Sequence, residues 1–109
     1  MKKKDQLQGT LDLLVLKSLS SRGPMHGYAI ASHIEQVSDE ALRVEQGSLY
    51  PALHRLEADG WISADWTVSA SNRRVKVYRL TRTGQRQVAL SERRWNELTR
   101  AIGKVLRFA

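Results

Sequence analysis

The sequence lacks cysteine entirely, and this absence excludes disulfide bonds, thiolate metal sites and cysteine catalysis. It is the composition expected of a chain that works in a reducing compartment. No apolar run approaches the ~20 residues that a membrane-spanning helix needs. Residues 2–4 are basic, but no small-residue cleavage site of a secretory signal follows them. We therefore expect a cytoplasmic protein that has no contact with a membrane.

Acidic residues are missing from one long segment. Residues 1–65 carry seven basic and nine acidic side chains, whereas residues 66–91 carry six basic side chains and no acidic one. This segment accounts for most of the net charge of +7. A one-sided basic segment indicates a surface that binds a polyanion such as nucleic acid.

No arrangement of residues indicates catalysis. The three histidines, His26, His33 and His54, are scattered and contain no i, i+4 pair, so we expect no metal site. No nucleophile stands near a base in a recognisable arrangement. Four carboxylates occupy surface-like helical positions and are interpreted as solvated or locally paired groups: Asp12, Glu35, Glu57 and Asp59. We expect neither an enzyme nor a cofactor.

Apolar periodicity predicts three helices in the first 60 residues. The first two cover Gln6–Leu19 and Gly27–Val37, where apolar residues recur at helical spacing. The third is predicted to begin with Ser48 as its N-cap, which places Pro51 in the first turn, where a missing N–H costs no helical hydrogen bond. Residues 59–60, Asp-Gly, end this helix.

After Gly60 the apolar period changes from that of a helix to two. Residues 62–68 and 73–80 are predicted to form an antiparallel hairpin around the polar residues 69–72. Which face the second strand buries stays open. Val75 and Val77 lie on one face of the strand and Tyr78 and Leu80 on the other, and both pairs are apolar. Thr81 then caps a helix that continues to about Arg107. We predict a head (residues 1–80) and a C-terminal helix (residues 81–109) within one compact domain.

Three short helices followed by a hairpin and a long helix predict a mainly α winged helix-turn-helix with one C-terminal dimerisation helix. In this layout the third helix presents the face opposite its apolar stripe to the major groove of double-stranded DNA. The candidate groups on that face are Ser48, Tyr50, His54 and Arg55. The candidate phosphate ligands past the hairpin tip are Arg73, Arg74 and Lys76. Tyr28, with His26 before it, begins the second helix and is a further candidate for a phosphate contact.

Three segments resemble the PadR family of transcriptional regulators: HGYAI at 26–30, GSLYPALHRLE at 47–57 and RRVKVYRLTRTG at 73–84. The resemblance implies a homodimer, usually a repressor, that binds a palindromic operator. By position it assigns recognition to residues 48–59, the wing to residues 60–80 and dimerisation to residues 82–107. Val77 departs from the family pattern, in which an aromatic residue is common at this position. The departure affects only the expected local packing of the wing.

The C-terminal helix carries a heptad-like row of residues with two interpretations. The row includes Val88, Trp95, Leu98, Ile102 and Val105. Either the helix folds back as core, or it pairs with its copy in a second chain; its length favours the second. Trp95 is then an anchor of the dimer, or a stacking site for a small planar aromatic effector, which some members of the family bind between these helices.

Two other functions stay open on the sequence alone. One is nucleic-acid binding without sequence preference, or binding of RNA. The other is a protein-interaction module built on the same scaffold, since a fold does not by itself define a function. Only operator recognition predicts half-sites about one helical turn apart.

Overall fold

A computed structural model of the chain describes residues 6–108, so residues 1–5 and 109, at the ends of the two predicted units, lie outside it. The chain forms a winged helix with a long C-terminal helix, which confirms the predicted architecture. The elements in chain order are α1 Gln6–Arg22, β1 Met25–His26, α2 Gly27–Val37, α3 Gln46–Ala58, β2 Ile62–Val68, β3 Arg74–Leu80 and α4 Arg82–Phe108.

The beginning of α3 differs from the prediction. Its N-cap is Glu45, whose carbonyl oxygen accepts from the N–H groups of Ser48 and Leu49, so Ser48 lies inside the first turn and is not the cap. Pro51 consequently lies in the second turn of the helix. The missing N–H of Pro51 removes one helical hydrogen bond there. Gly60 ends the helix as predicted, in the left-handed conformation (φ 79°) that glycine adopts readily.

The hairpin is part of a three-stranded antiparallel sheet of order β1-β3-β2. The sequence did not predict β1, which pairs Met25 with Tyr78 and His26 with Val77. Two residues are too few for an alternating pattern. The register pairs Ile62 with Leu80 and Ala64 with Tyr78. The side chains of Tyr78 and Leu80 therefore share the core-facing side, which resolves the open question about β3.

The core lies where α1, α2, α3 and the sheet meet. Its fully buried side chains include Leu16 from α1, Ile30 from α2, Leu53 from α3 and Ile62 from β2. Burial of such aliphatic side chains removes apolar surface from water and is the main stabilising contribution to a small domain. The outer half of the β2–β3 hairpin, from Trp66 onward, extends past this core and is exposed.

The N-terminal end of α4 is fixed to the head by a cap and by close packing. The Thr81 hydroxyl accepts from the Gly84 N–H at 3.0 Å, as the sequence predicted, and donates to the Gly60 carbonyl at 2.7 Å. Val88 on the next turn is buried in the core of its own chain. Its assignment to the dimer interface is therefore wrong, because this part of the row is already covered by the head. No helix within residues 6–108 combines the length and apolarity needed to cross a bilayer.

Candidate nucleic-acid interface

The recognition helix α3 is seated in the core by one face and exposes the other. Leu49, Ala52, Leu53 and Leu56 are buried at the predicted helical spacing. The exposed positions opposite them include Ser48, Tyr50 and His54, three of the four predicted recognition residues. These side chains offer hydroxyl and imidazole groups that can hydrogen-bond base edges in a major groove.

Arg55, the fourth predicted recognition residue, does not project outward. Its Nη2 donates to Oδ1 of Asp12 at 2.9 Å, across to α1. Asp12 is only 5% exposed, so its interpretation as a surface carboxylate is also wrong. The outward prediction failed because Arg55 sits at the edge of the buried stripe, where a long side chain can turn either way. A lone acid inside the apolar run of α1 was the one signal in the sequence for this pair.

Tyr50 lies across the N-terminus of α2. A Cβ atom placed on Gly27 would stand 2.7 Å from the Tyr50 hydroxyl oxygen, so the tyrosine ring rests directly against the glycine. The ring stays 44% exposed. Glycine at this position therefore allows α3 and α2 to present Tyr50 and the N–H groups of α2 on a common surface.

The N-terminus of α2 brings His26 and Tyr28 to the same surface. Nδ1 of His26 accepts from the Ala29 N–H at 3.2 Å, so His26 is the N-cap of α2. Its ring stacks on that of Tyr28 with centroids 6.5 Å apart, and Tyr28 is 71% exposed. The positive end of a helix dipole favours an anion, and a phosphate contact at His26 and Tyr28 stays a prediction.

The tip of the wing carries an arginine held against an exposed tryptophan. Arg73 and Arg74 are both exposed, and the Arg74 guanidinium carbon lies 4.7 Å from the centroid of the Trp66 ring. Trp66 is 57% exposed. Trp66 was not among the predicted site residues, because its neighbours across the hairpin depend on the pairing register of β2 and β3. Stacking on the indole restricts the guanidinium while leaving its N–H donors available.

Lys76 points toward α3 and away from the wing tip. Its Nζ lies 3.4 Å from Oε1 of Glu57 and 5.5 Å from the centroid of the Tyr78 ring. Burial raises the pKa of the Tyr78 phenol above its ordinary value of 10.0, although the nearby Lys76 ammonium acts in the opposite direction. A phosphate contact by Lys76 stays a prediction, and the side chain would have to leave Glu57 to make it.

Most of the remaining apolar residues on this side of α4 are exposed on the chain. Trp95 is 40% exposed and Val105 is 64% exposed, and Ile102 and Leu106 are exposed as well. Leu98 is half-buried. A contiguous exposed apolar surface of this kind is typical of a protein–protein contact. The dimer and effector roles of Trp95 stay predictions.

Comparison with known proteins identifies relatives among transcriptional regulators. The model of the Transcriptional regulator PadR-like family matches residues 15–90. Transcriptional regulator Rv3488 of Mycobacterium tuberculosis is 38% identical over 68 residues, which are 62% of this chain. The chain covers 63% of the length of that regulator, slightly less than two thirds.

Solved structures show the same fold over nearly the whole chain. A PadR family transcriptional regulator from Eggerthella lenta is 34% identical, with a TM-score of 0.77 over 95% of this chain and 88% of that one. The structure of Bacillus subtilis PadR in complex with operator DNA is 25% identical, with a TM-score of 0.66. That match covers 73% of this chain and 45% of the Bacillus protein.

Proposed function

Because this chain belongs to the PadR-like family of transcriptional regulators, we propose that it acts in the cytoplasm as a homodimeric repressor that binds a palindromic DNA operator and catalyses no reaction. The observation that carries the proposal is α3, whose buried stripe leaves Ser48, Tyr50 and His54 exposed. A helix presented in this way fits the major groove. The likeness to a PadR protein in complex with operator DNA supports the same conclusion.

The wing and the start of α2 supply the contacts to DNA phosphates, which do not depend on the base sequence of the DNA. Arg73 and Arg74 lie at the hairpin tip, where guanidinium groups can bind phosphates or enter a minor groove. The N–H groups at the start of α2, beside Tyr28, would bind a further phosphate. Such contacts provide most of the affinity for DNA and make it depend steeply on salt.

The second half of α4 is the proposed dimerisation element. Its apolar side chains from Trp95 to Leu106 share one face and, apart from the half-buried Leu98, are exposed, as a helix that pairs with a copy of itself requires. Two heads related by a two-fold axis would read two halves of an inverted repeat. Trp95 lies at the head end of this face, where a planar aromatic effector could stack against its indole ring.

Selection of bound sequences from random duplex DNA tests this proposal. We expect the full chain to enrich an inverted repeat whose half-sites lie about 10 base pairs apart, one turn of DNA. His54→Ala should relax the preference at one position of each half-site by about 1–3 kcal/mol, the value of one good base contact. The matched control is His33→Ala, because the His33 ring lies 3.5 Å from Arg22 at the end of α1.

Two outcomes of the selection would contradict operator recognition. Binding without any enriched sequence would indicate the non-specific nucleic-acid module. Absence of binding to duplex DNA at low salt would indicate either RNA binding or the protein-interaction module. Equal sequence preferences for His54→Ala and the unaltered chain would remove His54 from the recognition surface.

The contact between Gly27 and Tyr50 gives a second expected result. Gly27→Ala should weaken operator binding about tenfold by displacing the Tyr50 ring, a loss in the range of one base or phosphate contact. The free energy of unfolding should change by less than about 1 kcal/mol, because alanine favours the helix and the ring can move. Binding titrations and denaturant unfolding measure the two quantities.

A double-mutant cycle isolates this contact. In a Tyr50→Ala chain the additional Gly27→Ala change should leave operator affinity unaltered, because the displaced ring is already absent. If Gly27→Ala weakens binding equally in both backgrounds, the effect comes from the backbone of α2, and Tyr50 is not the group displaced.

A further inference from the structure

A continuous row of cations follows the face of α4 that lies opposite its apolar side chains. At 3.6 residues per turn, six basic residues fall within about 60° of one another around the helix axis. The row, which we call the basic stripe, consists of Arg82, Arg86, Arg93, Arg100, Lys104 and Arg107, and every one of these residues is exposed. At 1.5 Å per residue its ends are about 38 Å apart.

One carboxylate, that of Glu97, lies beside the basic stripe, four residues after Arg93 and three before Arg100. The ion pairs among residues 6–108 join other side chains, such as Lys17 with Glu92, and none of them includes a residue of the stripe. Like charges four residues apart, as in Arg82 and Arg86, destabilise a helix by a few tenths of a kcal/mol for each pair. Arg82 also places a positive charge at the positive end of the helix dipole. Six cations beside one acid leave this face strongly positive, and a polyanion lying along it would relieve the repulsion.

The basic stripe and the recognition helix face different directions. α3 contacts α1 through Asp12, and α4 contacts α1 through Lys17 and Ser20. These positions on α1 are separated by about 80° to 140° around its axis. On α4 itself the core-facing Val88 lies on the far side of the helix from the stripe. A duplex held by α3 and the wing would leave the stripe uncovered.

We propose that the basic stripe binds the phosphate backbone of a second DNA duplex, so that a regulator seated on its operator holds two DNA segments together. This inference rests on the proposed operator binding. Five of the six cations are arginines, whose guanidinium groups match phosphate geometry. The row is slightly longer than one turn of DNA, ~34 Å. Because its groups are guanidinium and ammonium cations that bind phosphates, its contact with the DNA backbone is independent of base sequence.

A bilayer is the competing polyanion, and the apolar face of α4 argues against it. An amphipathic helix binds a bilayer by inserting its apolar face. On α4 that face is buried against the head at Val88, and from Trp95 onward it is the proposed dimer contact. The cations lie on the opposite side, where a duplex can approach while the apolar face stays covered.

A bridging experiment tests the proposal with the full chain. The operator duplex selected above is immobilised and loaded with protein, and capture of a labelled, unrelated duplex is measured at increasing salt. The unaltered chain should capture the second duplex. Arg86→Gln/Arg93→Gln/Arg100→Gln should lower this capture about tenfold and reduce the slope of log affinity against log salt by about 2 to 3, the number of phosphate contacts removed. Its operator affinity should stay within about twofold, because no phosphate contact to the operator is removed.

Adjacent arginines provide a matched control for charge. Arg93 belongs to the stripe, whereas Arg94 is also exposed but lies about 100° around the helix from Arg93. Capture should fall for Arg93→Gln and stay unchanged for Arg94→Gln, although both remove one positive charge.

The outcomes separate this proposal from the proposed function. Normal operator binding without capture of the second duplex would overturn the bridging role alone. Capture of the second duplex by the triple variant at the level of the unaltered chain would do the same. Preferential capture of phosphatidylserine vesicles over the second duplex would assign the stripe to a membrane and overturn it as well. Failure of the unaltered chain to select an operator would contradict both proposals, and this is detected before the second duplex is added.

Discussion

Arg55→Ala is expected to lower the free energy of unfolding by about 3 kcal/mol, because it leaves the buried Asp12 carboxylate without its guanidinium partner. The value lies at the low end of the range for buried pairs, since the Arg55 side chain itself stays 34% exposed. Denaturant unfolding measures the change. Such a loss is a large fraction of the stability of a small domain. The pair therefore holds the recognition helix against α1. It affects DNA binding only by fixing where that helix lies, without contacting the DNA.

Arg79→Ala is the matched control, because Arg79 pairs with the exposed Asp65 on the neighbouring strand. An exposed pair of this kind contributes less than about 1 kcal/mol. A direct phosphate contact would show itself differently, by reducing the salt slope of operator binding by about 1. We expect that reduction for Arg74→Ala and not for Arg55→Ala. If Arg55→Ala leaves stability intact and lowers the slope, Arg55 faces the DNA and its contact with Asp12 is incidental.

Gly84→Ala is expected to destabilise the chain by about 3 kcal/mol or more, because the added methyl group meets backbone that cannot move aside. A Cβ atom at this position would overlap the carbonyl oxygen of Trp61 and stand 3.0 Å from Cδ1 of Leu80. To accept it, the first turn of α4 would have to separate from the turn between α3 and β2. The Thr81 cap that both segments share would be distorted as well.

Gly103 supplies the control on the same helix. The nearest atom that a Cβ there would meet is Nη1 of Arg107, at an ordinary 3.7 Å. Gly103→Ala should therefore raise stability by about 0.5–1 kcal/mol, the usual gain of alanine over glycine inside a helix. Thermal unfolding of the two variants should shift the midpoint in opposite directions. An unchanged or raised midpoint for Gly84→Ala would mean that Gly84 is not a packing position.

Local patterns in the sequence located the helices, the hairpin and the buried stripe of α3. They succeeded there because an amphipathic helix repeats its apolar residues over several turns, so that Leu49 and Leu53 indicate the same face. They failed at β1, which is too short to show a pattern, and at the beginning of α3. Ser48 resembles a cap in isolation, yet the helix continues one turn further back to Glu45. A helix boundary depends on one or two hydrogen bonds, which local sequence specifies weakly.

Local sequence patterns could not predict the direction in which single long side chains point. Arg55 and Lys76 were both predicted to face DNA from their charge and position. Arg55 turns to Asp12, 43 residues away in sequence, and Lys76 turns to Glu57. Trp66 joined the wing surface only once the register placed it opposite Lys76 and beside Arg74. Each of these contacts joins residues that are distant in sequence, so no periodicity within one element could show them.

Two features of the sequence were enough to indicate a nucleic-acid-binding winged helix. They are the acid-free segment at 66–91 and the order of three helices, hairpin and long helix. The tertiary structure decided which of the basic groups are available. Arg55 forms an ion pair with α1, the head covers Val88, and the six cations of the basic stripe form none of the ion pairs found among residues 6–108. Composition and period are properties of a chain segment, whereas the availability of a charge depends on which distant side chain folds against it.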